Sequence, residues 1–202
     1  MTEHPLSREN LAAINDRAKA IISDPRSAWP QIAEERLSTQ EILLDYVLPL
    51  AAIGPVAGLI GGQLLGYGFV GLRIGLGAAI GMAVTSYLLS ILSVFLIAFV
   101  ANFLSPRFGG NDDFASAFKL CAYAMTAAWL AGVFALVPVL AILGFLGLYS
   151  IYLFYTGVAP MMGIPADRAL TYTAITILVA LVVNLVISSL ATGIGGMPPM
   201  MI

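Results

Sequence analysis

The chain has 202 residues, of which 60% are apolar, 10% are charged and 20 are glycine, with a formal net charge of −2. A soluble domain averages about 25% charged residues and ~45–50% apolar ones, so this chain cannot solvate the outside of a compact globule. A soluble enzyme, a disordered chain and a basic nucleic-acid binder are excluded, and most of the protein has lipid as its solvent.

Thirteen of the twenty charges lie in residues 1–45. Within this polar head Leu11, Ile14, Ala18, Ile21 and Ile22 recur at helical spacing, with Asp16, Arg17 and Lys19 on the other side. Pro25 ends that helix, and Trp29-Pro30 restarts the chain into a second one with Pro30 at its first position. The segment reads either as helices lying on a membrane or docking a partner, or as a solvated tail. Trp29 and Glu35 are its candidate partner contacts. No positively charged stretch feeds a short apolar run at the N-terminus, so the first span is expected to act as an uncleaved anchor. Ser38-x-x-Glu41 is a capping-box pattern that starts the helix of the first span.

Four charge-free stretches follow: 46–72, 74–106, 120–166 and 169–202. A spanning helix needs about 20 apolar residues. The third stretch is twice that, and Pro138 divides it. The expected architecture is an all-α polytopic membrane protein with five spans, 46–66, 74–103, 118–137, 141–161 and 170–192, and a tail over 193–202. With the N-terminus inside, eight Lys/Arg lie on the inner side and only Arg73 on the outer, which sets the N-terminus in the cytoplasm and the C-terminus outside.

Span one carries Pro49 and Pro55 and should be kinked. Asp45, Tyr46 and Pro49 stand at its start as candidate interface residues. Gly54, Gly58, Gly62 and Gly66 fall on every fourth residue, and Gly75 and Gly81 open span two, with Ser86 and Ser90 further along. Small residues at this spacing let helices approach closely. The expected use is packing of spans one and two on each other, with a homo-oligomer contact as the alternative. A nucleotide-binding reading of the glycines fails, because no strand–helix context and no Lys-Ser/Thr accompany them.

No acidic or basic group falls in the middle of a span. The polar candidates within the bilayer are Tyr123, Thr126, Trp129, Tyr149, Tyr152 and Asn184, the last near the centre of span five. The single histidine, His4, and the lone Cys121 cannot build a Cys–His pair or a metal site, so no catalytic residue, metal or cofactor is expected.

Several segments together are similar to the Yip family of Ypt/Rab-GTPase-interacting proteins, in the form found in bacterial inner membranes. They are Ile22-x-x-Pro25-x-x-x-Trp29-x-x-Ile32-Ala33-x-Glu35, Tyr46-x-Leu48-Pro49-Leu50, Tyr123-x-x-Thr126-x-x-Trp129-Leu130-Ala131-Gly132 through Pro138, and Leu148-Tyr149-Ser150-Ile151-Tyr152-Leu153 with Gly157. The resemblance implies five spans with a cytoplasmic N-terminus. Eukaryotic members act in vesicle traffic and bind Rab-type GTPases. Their Asp-Leu-Tyr-Gly-Pro signature is represented here by Asp45-Tyr46-Val47-Leu48-Pro49, without the Gly, so GTPase binding does not carry over. Ala127 stands where the family has Pro after its Thr, which implies a straighter third span. The expected role is a membrane organiser that presents a cytoplasmic segment to partners. A small transporter built around the broken first span is the alternative.

Overall fold

The structure is a computed structural model and describes residues 8–67 and 71–194. Two short helices come first: α1 (Arg8–Ser23) and α2 (Pro25–Glu34). Four helices long and apolar enough to cross a membrane follow among the described residues: α3 (Thr39–Leu65), α4 (Leu76–Phe108), α5 (Phe114–Leu136) and α6 (Pro138–Met162). Helix α7 (Ala166–Ile194), 29 residues long, occupies the place of the fifth expected span. The side chain of Asn184 and the tail beyond Ile194 lie outside the described residues.

Helix α1 turns Ile14, Ala18 and Ile21 inward and leaves Asp16 and Lys19 exposed. The restart at Pro30 is corrected: α2 begins at Pro25, and Pro30 lies inside it. The Asp24 carboxylate caps it by accepting from the Ser27 N–H at 3.3 Å, and Pro25 sits where a missing N–H costs nothing.

The capping box at the start of α3 is present. Ser38 Oγ accepts from the Glu41 N–H at 3.2 Å, and Glu41 Oε2 accepts from the Ser38 N–H at 2.8 Å. The helix then widens into a π turn over Leu43–Val47, closed by the Leu48 N–H on the Leu43 carbonyl. Pro49 explains the widening. It has no N–H for the Asp45 carbonyl, and its ring crowds that oxygen. A second break falls at Ala52, three residues before Pro55. The Tyr87 hydroxyl of α4 donates to the Leu48 carbonyl at 3.2 Å, so a neighbouring span re-satisfies backbone in the kinked region.

In α5 the helical run is interrupted at Met125. The lack of Pro at position 127 therefore does not leave this span unbroken. Thr126 Oγ1 donates to the Tyr123 carbonyl at 2.6 Å, the kind of local bond that competes with the helix ladder. The expected division at Pro138 is present: Val137 is extended (φ −122°, ψ 108°) and Pro138 starts α6. The span thus begins at 138 rather than 141. Its first eleven residues, Pro138–Leu148, are wound as a 3₁₀-helix, with none of them buried. At about 2.0 Å per residue this run covers roughly 22 Å, well beyond the usual three or four residues of that helix type. Val139, Ile142, Phe145 and Leu146 are exposed along it, a surface that only lipid or another apolar chain can cover.

The glycine ladder packs, but not as expected. A Cβ on Gly54 would sit 3.6 Å from Gly132 Cα, and one on Gly61 would sit 2.3 Å from the Leu136 carbonyl oxygen. One on Gly58 would meet Ala135 at 3.9 Å. The partner of the ladder is therefore the end of α5, not the glycines of α4. Gly62 holds the Tyr67 ring, and Gly66 (φ +87°) ends the helix in a conformation that glycine adopts freely. Around Gly75, Gly77 and Gly81 nothing lies within 4 Å of a would-be Cβ. The break at Met125 and the 3₁₀ turn over Gly132–Leu136 steer the end of α5 onto α3, and no local pattern encodes that.

Spans are cross-linked by hydrogen bonds as well as by packing. Trp129 Nε1 donates to Ser90 Oγ at 3.1 Å, the Ala128 N–H to Ser150 Oγ at 3.0 Å, and the Tyr172 hydroxyl to the Ala101 carbonyl at 2.8 Å. Ser86 does not join this set. Its hydroxyl returns to the Ala83 carbonyl of its own helix.

Asp113 caps α5, accepting from the N–H groups of Ala115 and Ser116 at 3.1 and 3.2 Å and from the Ser116 hydroxyl at 2.6 Å. The Ser116 hydroxyl bond above all holds this carboxyl below the usual carboxylate range. Replacing Asp113 by Ala should destabilise the fold by about 1 kcal/mol at pH 7. A carboxyl depressed by folding contributes its full stabilisation above its unfolded pKa and loses it as pH falls through the folded value, so the difference should shrink over that range and vanish below it. Unfolding of both proteins in detergent over a descending pH series checks this.

Candidate interaction site

The segment resembling the family motif is not a free tail. Trp29 is fully buried, and its Nε1 donates to Thr156 Oγ1 of α6 at 3.1 Å. A Cβ on Gly157 would lie 2.6 Å from the indole and from Leu120, so glycine is what lets the ring seat there. Ile32 and Ile21 are buried beside it.

The two short helices end on polar groups supplied by the bundle. Lys119 of α5 is buried, and its Nζ donates to the Ile32 carbonyl at 3.2 Å and the Glu35 carbonyl at 2.6 Å. The Tyr149 hydroxyl of α6 donates to the Ile22 carbonyl at 3.1 Å. Carbonyls in the last turn of a helix have no partner within it, and a cation there also complements the helix dipole. Lys119 thus closes α2, and Tyr149 does the same for α1. Arg17 of α1 pairs with Glu35 after α2, and its guanidinium lies 5.6 Å from the Tyr123 ring centroid.

Below this seam the π turn brings Tyr46 inward. Its ring meets Tyr123 edge-on at 4.6 Å, and its hydroxyl is 2.7 Å from Thr126 Oγ1. A cavity of about 220 Å³ opens between α1, α3 and α5, lined by Asn10, Arg17, Glu41, Asp45, Tyr46 and Tyr123 among others. Its wall carries a cation, two carboxylates and two aromatic rings. Among the described residues no group of three or more His, Cys, Asp or Glu side chains is placed to hold a metal ion.

The structure therefore gathers Trp29, Glu35, Asp45, Tyr46, Tyr123, Thr126 and Tyr149 along one seam. Pro49 shapes it through the π turn, and Tyr152 flanks it, its ring 5.3 Å from that of Tyr149. Trp129 stands apart on Ser90. Trp29 and Glu35 are turned inward, whereas Asp16, Lys19, Arg26, Gln31 and Glu34 form the exposed side. Sequence reasoning did not assign Arg17 or Lys119 to this seam. One signal was available: Lys119 stands five residues inside an otherwise charge-free helix, a place where a cation needs a partner.

A family model described as the Yip1 domain matches residues 19–187. No curated protein and no solved structure matches the chain. The match runs from the middle of α1 into α7, so it takes in the docked segment, the seam and the apolar helices together. This chain is a multi-pass membrane protein of the Yip1-domain family.

Proposed function

We propose that this protein is a non-enzymatic membrane organiser, whose N-terminal helices form a cytoplasmic platform for protein partners. One observation carries the reading: α1 and α2 are fixed to the bundle by Trp29, Lys119 and Tyr149, which leaves a shaped polar face of Asp16, Lys19, Arg26, Gln31 and Glu34 turned outward. A face held this rigidly loses little entropy when a partner binds. The Lys/Arg asymmetry supports a cytoplasmic N-terminus, five spans with α7 as the fifth, and an outside C-terminus. The family resemblance in its bacterial form supports a bacterial inner membrane. Contact between copies, if the glycines serve it, falls to the open Gly75 and Gly81 side of α4.

The test is affinity purification of the full chain, of a chain lacking residues 1–37, and of the outer-face variant Arg26→Glu/Glu34→Lys. Both altered proteins should stay in the membrane and lose the co-purifying proteins. An unchanged set of partners overturns the reading.

A second reading, passage of a small solute, is favoured by a cavity of about 480 Å³ between α3, α4 and α5, lined in part by Gly54, Gly58, Ser86, Ser90, Trp129 and Gly132. Flux in proteoliposomes that Ser90→Leu abolishes would favour it over the platform.

A further inference from the structure

Outside the seam, the most chemically specific cavity lies at the far end of α4. It measures about 480 Å³ and is lined by Phe99, Asn102, Phe103, Pro106, Arg107 and Asp112. Phe99 and Phe103 are exposed and stack on each other, 6.5 Å apart and 9° from parallel. The Arg107 guanidinium lies 4.0 Å over the Phe103 ring and donates to the Phe103 carbonyl at 2.6 Å. It makes no ion pair with a described carboxylate, so most of its five N–H donors remain available. Opposite it, Asn102 Nδ2 donates to Asp112 Oδ1 at 2.8 Å. That bond sets the amide orientation, because a carboxylate can only accept. The other amide atom, Asn102 Oδ1, is thereby left buried with no donor.

We propose that this cavity binds the headgroup of a phospholipid carrying both a phosphate and a primary ammonium, of the phosphatidylethanolamine type. Arg107 supplies N–H donors to the phosphate, the geometry at which guanidinium excels. The ammonium donates to the Asp112 carboxylate, which the Asn102 amide holds at the cavity wall. The acyl chains leave along Phe99 and Phe103, aromatic residues at the end of an apolar helix, where headgroup meets hydrocarbon. A choline headgroup has no N–H to donate to Asp112, and a glycerol headgroup leaves the Asp112 charge unpaired. The donor and acceptor set thus selects the primary ammonium.

The test is native mass spectrometry of the purified full chain in detergent with defined amounts of palmitoyl-oleoyl phosphatidylethanolamine, phosphatidylglycerol and phosphatidylcholine. The chain should retain the ethanolamine lipid in preference to both others. Arg107→Gln should weaken that retention about tenfold, and Arg107→Lys, which keeps the charge but not the planar fork, should fall between Gln and the parent. Asp112→Asn should erase the preference over phosphatidylcholine yet still retain phosphatidylglycerol through Arg107. Both positions are exposed, and circular dichroism and size exclusion confirm that each variant is folded. Equal retention of all three lipids, or retention unchanged in Arg107→Gln, overturns the proposal. So does equal competition by soluble glycerophosphoethanolamine, which would show a headgroup site without a lipid.

Discussion

Trypsin should cut a Trp29→Ala variant at Arg17, Lys19 and Arg26 a hundredfold or more faster than the parent, while the bundle stays inserted. Trp29 is the largest fully buried side chain, and it is the main apolar anchor between α2 and α6. Removing a buried Trp side chain costs about 3–5 kcal/mol, and here the indole bond to Thr156 goes as well. Much of that loss falls on the docking of α1 and α2 rather than on the spans, because the cavity would open at their contact with Gly157 and Leu120. Local opening free energy governs cleavage when reclosing is fast, so the rate reports the docking directly. Trp29→Phe should fall between the two, keeping most of the apolar area and losing the N–H. Equal cleavage of parent and Ala variant would show that the hairpin is held by something other than the indole. Helix capping by Lys119 and Tyr149 would then be the place to look.

The second large effect is a contrast within the glycines. Gly61→Ala should destabilise the bundle by about 1–3 kcal/mol, the usual cost of overpacking a tight contact. The new methyl would meet the carbonyl oxygens of Leu136 and Ala135 at 2.3 and 2.6 Å, and backbone cannot rotate aside as a side chain can. Gly81→Ala, with open space around the same atom, should be neutral or stabilising by up to about 1 kcal/mol through helix propensity. Thermal unfolding of both variants in one detergent measures the difference. Equal destabilisation would mean that Gly81 meets a partner, and a second copy of the chain would be the first to test. Both variants carry the same substitution on the same kind of residue, so only the neighbours differ.

Much of the architecture was legible because it rests on local rules. The capping box at Ser38 and Glu41, the disruption around Pro49 and Pro55, and the division at Pro138 each follow from what a residue can or cannot donate within four positions of itself. The start of α2 was misread at Pro30 because two prolines compete for the first helical position, and Asp24, the better cap, decides for Pro25. The break at Met125 was missed because no proline marks it; a threonine back-bond to Tyr123 lies there instead.

The site was legible in its residues but not in its direction. Trp29, Glu35, Tyr46 and Tyr149 were singled out, yet nothing within α2 says whether its apolar face meets lipid, a partner or its own bundle. Gly157 and Lys119, more than eighty residues away, make that choice by leaving room for an indole and by filling carbonyls that a free helix end would give to water.

By itself the sequence determined that lipid is the solvent, where the apolar helices run and where the prolines of the spans disrupt them. Composition and hydrogen-bonding limits act within a turn or two of chain, and bilayer thickness does the rest. Only the tertiary structure decided that the polar head is docked rather than free, and that the glycine ladder lies against α5. Both depend on how closely distant backbones approach, and that distance is a property of the packed bundle.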